Sequence, residues 1–131
     1  VFYGGYARQN DYAETLAEVY DEYGYLADPH TAVAFDVCGQ YCDSRASDRP
    51  VVVVSTASPV KFASTGLASL GESVPDDDVA ALRKMEEITA FPVPESVYAL
   101  FGMKERFNKV IDIADVNGTI TDFARSLKAE K

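Results

Sequence analysis

Basic residues are scarce in this chain: 12 Lys and Arg stand against 21 Asp and Glu, a formal net charge of −9. Such a surface repels phosphate backbones, which argues against nucleic acid as a partner. Long apolar runs are missing as well. No window approaches the ~18 apolar residues of a membrane span, and the N-terminus lacks the basic-then-apolar pattern of a secretion signal. The sequence therefore predicts a cytoplasmic protein with no membrane partner. Cysteine is nearly absent, with only Cys38 and Cys42. They are too few ligands for zinc, and a four-residue spacing within a helix suits a disulfide poorly, so both are expected to be buried thiols. An initiating methionine is lacking too: the chain opens VFYGGY, as though inside an element, and we expect a piece of a longer protein.

What is present suits one ordinary fold. At 131 residues, 47% hydrophobic and 25% charged, the chain can bury a single core, and we expect one domain over 1–131. Low-complexity stretches and internal repeats are not visible. From Asp11, the residues Tyr12, Leu16, Val19, Tyr20 and Tyr23 recur at three- and four-residue steps with glutamates on the other faces, as an amphipathic helix demands. Asp11 with Glu14 resembles a capping box, and Gly24 is a stop. In LADPHTAVAFDVCGQYC, Asp28 can cap and Pro29 suits the first helical position. The helix that follows is apolar nearly all round, which predicts a central, well-buried element.

Asp43 to Arg49 is polar and turn-rich, so a surface loop should deliver the chain to PVVVVSTASPVKF, residues 50–62. Four valines without polar alternation predict a strand covered on both faces. Ser58 and Pro59 repeat the cap-plus-proline start, followed by the stripe Val60, Ala63, Leu67, Leu70 and a stop at Gly71. Asp76, Asp77 and Asp78 sit where a helix N-terminus favours negative charge, so they need no metal. FPVPES breaks that helix, Pro94 to Phe101 allows a short one, and FNKVIDI reads as a second strand. Ile120, Phe123, Ala124 and Leu127 share one face of a closing helix, with Thr119 and Asp122 suiting its start. The predicted class is α/β: about two core strands among about six helices. So small a sheet is rarely stable by itself, which again suggests a partner segment.

In open α/β sheets, ligands gather beyond the carboxyl ends of strands, beside the following helix starts. Ser55, Thr56, Ala57 and Ser58 fall there. Their hydroxyls can engage a ligand without bringing charge, or simply satisfy local backbone groups. His30, just inside a helix start, and Lys61, in the first turn after Pro59, are candidate catalytic groups; Lys61 is near enough to the strand end to meet an anionic group, and His30 can also simply pack or hydrogen-bond there.

The segments DPHTAVAF (Asp28 to Phe35) and VVSTASPVKF (Val53 to Phe62), with FPVPESVYALFGM and VIDIAD after them, resemble the C-terminal portion of the threonine synthases. The resemblance covers essentially the whole chain. It implies part of a pyridoxal-phosphate enzyme of the tryptophan-synthase-like fold (fold type II), which converts O-phospho-L-homoserine and water to L-threonine and phosphate. It also implies that a serine or threonine hydroxyl faces the cofactor's pyridine nitrogen. By motif that role falls to Thr56, with Ser55 as the alternative, and the substrate candidates are Lys61 and His30. The family's Schiff-base lysine segment and its glycine-rich phosphate loop do not occur here, so the chain alone is expected to be inactive without the N-terminal region of the same enzyme. A reading from another class is a self-sufficient acidic α/β module that binds a protein partner through exposed apolar surface.

Overall fold

The computed structural model describes residues 2–45 and 49–129, which form two compact units that divide after Phe101. The first unit holds five helices: α1 (Gln9–Tyr23), α2 (Pro29–Ser44), α3 (Ala63–Ser69), α4 (Asp78–Thr89) and α5 (Glu95–Phe101). Helix α1 packs on α2 and α3, and α3 packs on α4. Their shared core contains Leu16, Leu26, Ala32, Ala63, Leu67, Leu82, Met85 and Val93, with Tyr12, Tyr20, Val60 and Tyr98 closing its edges. Burial of these side chains drives the packing, since each fully buried Leu, Met or Val contributes about 1.5–3 kcal/mol relative to an exposed position and each alanine less.

The helix ends follow from local chemistry. Arg8 N–H donates to Asp11 Oδ2 at 2.7 Å, so the reciprocal carboxylate of the α1 start is Asp11, and the helix begins two residues earlier than its sequence suggests. Gly24, at φ +64°, ends α1 in the left-handed region that glycine adopts without steric cost. Asp28 caps α2, Asp77 accepts from Ala80 N–H at 2.8 Å to cap α4, and Ser58 caps a short 3₁₀ turn, Pro59–Phe62, that runs into α3. At the α3 end, Glu72 N–H reaches Leu67 O and Gly71 N–H reaches Ala68 O, the paired bonds of a Schellman stop.

Three expectations need correction. First, the α/β class fails: none of the described residues is in a strand. Val51–Val54 and residues 107–112 of the FNKVIDI segment have no regular structure, and Ile113 opens a 3₁₀ turn, with Val52 84% and Val110 94% exposed. A strand exists only through ladder hydrogen bonds to a neighbour, and apolar sequence cannot supply one. Second, α2 is not well buried: only Thr31 and Ala32 are, while Val33 to Cys38 are half-buried. Its apolar surface runs all round, and the elements packed on it enclose only Thr31 and Ala32 fully. Third, neither cysteine is buried, because Cys38 is half-buried and Cys42 is exposed. Part of the loop expected from Asp43 to Arg49, residues 46–48, lies outside the described residues.

In the second unit a 3₁₀ turn, Ile113–Asp115, leads into α6 (Val116–Ala129). The helix starts ahead of the Thr119 and Asp122 signals, because the turn already supplies its first carbonyls. Phe107 meets Phe123 edge-on at 6.3 Å, and the two rings lie in a groove of about 540 Å³ with Ile111 and Ile120. Among the described residues, no helix is long and apolar enough to cross a membrane.

Candidate functional site

The start of α2 and the segment after the valines are brought together in space. Asp28 is 1% exposed, and its carboxylate accepts from His30 N–H at 2.9 Å, from Thr31 N–H at 3.3 Å and from the Thr31 hydroxyl. His30 Nδ1 lies 3.2 Å from the same carboxylate. A carboxylate can only accept, so Nδ1 carries the proton in this contact and Nε2 is the lone-pair nitrogen of neutral His30. Burial pushes the Asp28 acidity toward the neutral form, but the Thr31 hydroxyl, the two amides and the His30 ring outweigh it, and the carboxyl titrates below its usual range.

Thr31 extends this network to the other segment, since its Oγ1 is 3.2 Å from Ser55 Oγ. The one hydroxyl proton of Thr31 is committed to Asp28, which makes Ser55 the donor between the two hydroxyls. Ser55 Oγ also lies 3.2 Å from the Ala57 carbonyl. Its single proton therefore has two acceptors inside the protein and is not spare for a ligand. Thr56, next along the chain, is exposed. The turn is then closed by Ser58 Oγ, which accepts from Val60 N–H at 3.3 Å, and by Lys61 N–H, which donates to Ser58 O at 3.1 Å.

A second contact joins the same two segments, as the His30 ring lies against Phe62 with centroids 5.0 Å apart. Lys61 is exposed and lines a largely apolar groove of about 670 Å³ with Ser64, Thr65, Asp78, Leu82 and Phe101. That groove does not include Ser55, Thr56 or His30. So the structure gathers Ser55 and His30 about one buried carboxylate, leaves Thr56 beside them at the surface, and places Lys61 on a different wall. Thr31 is the participant that sequence reasoning missed. The available signal was a threonine three residues after a capping aspartate, where its hydroxyl returns to the same carboxylate as its amide.

This constellation can present uncharged oxygens to a polar ligand. Every oxygen of the buried carboxylate is already engaged, so no free anion competes at Ser55 and Thr56. Among the described residues there is no group of three or more His, Cys, Asp or Glu that could hold a metal ion.

Comparison with known proteins gives a consistent picture. Residues 31–120 match the family described as threonine synthase, C-terminal. The chain is similar to a threonine synthase of Corynebacterium glutamicum, with 38% identity over 72 residues, 55% of this chain and 15% of that protein. It is also similar to threonine synthase-like 1 of Mus musculus, with 28% identity over 118 residues, 88% of this chain and 15% of that protein. The chain thus spans only a small part of the length of these relatives. The family match begins at Thr31 and takes in Ser55, Thr56 and Lys61, whereas Asp28 and His30 lie just ahead of it. With more than half of its length matched, the chain belongs to the threonine synthase C-terminal family.

Proposed function

We propose that this chain is the C-terminal part of a threonine synthase, converting O-phospho-L-homoserine and water to L-threonine and phosphate with pyridoxal phosphate, and that it contributes one wall of the cofactor site. The observation that carries the reading is the junction of the α2 start with the segment after the valines, through Asp28, Thr31 and Ser55, which leaves neutral hydroxyls, and no free carboxylate, where a ring nitrogen would be met.

Thr56 is the residue assigned to the pyridine nitrogen. Ser55 is the alternative, but its proton already has acceptors in Thr31 and Ala57. When bound, the cofactor serves as the electron sink for the carbanion chemistry of the reaction. A hydroxyl partner does not compel the ring nitrogen to carry a full proton, as an adjacent carboxylate would. Lys61, from its separate groove, is the candidate for the substrate's phosphate, and His30 is a second candidate group. The covalent anchor of the cofactor and its phosphate cradle belong to the N-terminal region of the same enzyme, so the chain alone is inactive.

The test is Thr56→Val in the full-length enzyme. Loss of a single aligned donor should lower turnover by about 10²-fold and shift the absorption of the bound cofactor. Unchanged spectra and turnover would remove Thr56 from the site. Failure of the unaltered full-length enzyme to release phosphate from O-phospho-L-homoserine would remove the reaction itself.

A further inference from the structure

One feature of α2 lies outside the junction just described. Cys38 and Cys42 stand one helical turn apart, both as free thiols. A helix holds such a pair with Cβ atoms about 5–6 Å apart. A disulfide needs a Cβ separation nearer ~3.8 Å, so the intact helix resists direct oxidation of the pair. A single thiophilic atom has a longer span: with bonds of about 2.3 Å to each sulfur, even a bent bridge holds the sulfurs farther apart than the ~2.05 Å bond of a disulfide. Burial, and then a hydrogen bond and charge interaction with Cys42, hold the Cys38 thiol above its usual range.

The surroundings select the ligand. Among the described residues no third Cys, His or carboxylate gathers here, which leaves tetrahedral zinc two ligands short. Cys38 also lines an apolar groove of about 340 Å³ with Tyr3, Ala34, Val37, Tyr41 and the valine segment. Tyr3 and Tyr41 meet edge-on in it, 5.3 Å between ring centroids. An atom bridging the two sulfurs would therefore have an apolar wall beside it, suited to a ligand whose remaining substituent is an aromatic ring.

We propose that Cys38 and Cys42 form a preorganised dithiol site for a soft, thiophilic centre bearing an aryl group, represented by a trivalent arylarsenical. The step is a condensation without change of oxidation state. The two bonds from arsenic to the oxide oxygen are replaced by two arsenic–sulfur bonds, both thiol protons leave with that oxygen as one water, and the aryl–arsenic bond is kept.

The experiment treats the full chain with one equivalent of phenylarsine oxide and reads intact mass, free thiols and far-ultraviolet circular dichroism. The expected product is a one-to-one adduct with no titratable thiol left and helix content unchanged. It resists washing with a large excess of a monothiol and is reversed by ethanedithiol. Cys38→Ser and Cys42→Ser should each lose the adduct completely in the monothiol wash. A double variant, Cys42→Ser with Asp43→Cys, keeps two thiols but sets the second about 140° around the helix from Cys38, and it should lose the adduct as well. Retention by either single variant or by the relocated pair would overturn the proposal, as would an adduct that forms only with loss of helix signal.

Discussion

The two units carry the same kind of sequence signal and treat it differently. In the first, the apolar stripes of α1, α3 and α4 end with Leu16, Leu67 and Met85 at 0% exposure. In the second, the stripe of α6 is at least as regular, yet Ile120 remains 61% and Phe123 52% exposed. Periodicity states which face of a helix would gain from burial. It does not state whether the described chain contains the surface that would bury it.

The largest effects should fall on the first unit. Leu67→Ala removes a fully enclosed side chain beside Leu16 and Met85, and is expected to cost about 2–5 kcal/mol in chemical denaturation. Ile120→Ala should stay within about 0.5 kcal/mol of the unaltered chain. Equal losses at the two positions would show that α6 is covered in solution and would abolish the contrast.

Asp28 sharpens the same contrast with charge. Its carboxyl is held below the usual range by the Thr31 hydroxyl, the His30 and Thr31 amides and the His30 ring, which together outweigh burial. A carboxyl with a lowered folded-state value adds stability in full above its unfolded value of about 3.9, and that stability is lost as pH falls through the lower, folded value. The first unit should therefore weaken in acid below roughly pH 4. Asp28→Ala should cost about 2 kcal/mol at neutral pH, since it removes a helix cap and leaves the Thr31 hydroxyl without its acceptor. The acid-dependent part should disappear in that variant. A titration slope that persists would assign the acid sensitivity to other carboxylates.

Much of the helical layout was legible because its signals are local. Asp28-Pro29 and Ser58-Pro59 open helical segments, and Gly24 and Gly71 close them, since each acts through its own backbone amides and dihedral angles. The two expected strands fail for the opposite reason, since a strand is not a local property. Val51–Val54 has the composition of a covered strand, but pairing needs a neighbour that residue identities in the segment cannot report. The candidate site was legible in part. Ser55, Thr56, His30 and Lys61 could be named from motif and position, whereas the link from Asp28 through Thr31 to Ser55 joins residues 24 to 27 apart and depends on how the two segments pack. Lys61 lay close in sequence to the hydroxyls, but the turn of the chain at Pro59 sends it to another wall.

A close approach in the first unit allows a smaller test. A methyl group added at Gly5 would stand 2.7 Å from Val37 Cγ1 and 3.1 Å from Gln40 Oε1, so these side chains or the N-terminal segment must shift to admit it. Gly5→Ala is expected to break the 3.0 Å bond from Gln40 Nε2 to Tyr6 O and to speed amide exchange near Tyr6, at a cost of about 1 kcal/mol. Because Val37 and Gln40 lie outside the buried core cluster, the effect should remain local. If the variant instead lowers the global stability as Leu67→Ala does, this edge belongs to the core.

The smallest effect should come from the end of α4. Ala90 has φ +53°, where a side chain crowds the carbonyl and costs about 1–2 kcal/mol relative to the right-handed region. Glycine would remove that crowding but adds freedom to the unfolded chain, worth about 0.4–1 kcal/mol in the opposite direction. The first quantity is the larger, so Ala90→Gly should stabilise the first unit by a few tenths of a kcal/mol, seen as a slightly higher denaturation midpoint with an unchanged slope. Destabilisation would mean that the Ala90 methyl makes contacts worth more than the crowding it creates. In that case the stop of α4 would be held by packing, unlike the glycine stops of α1 and α3.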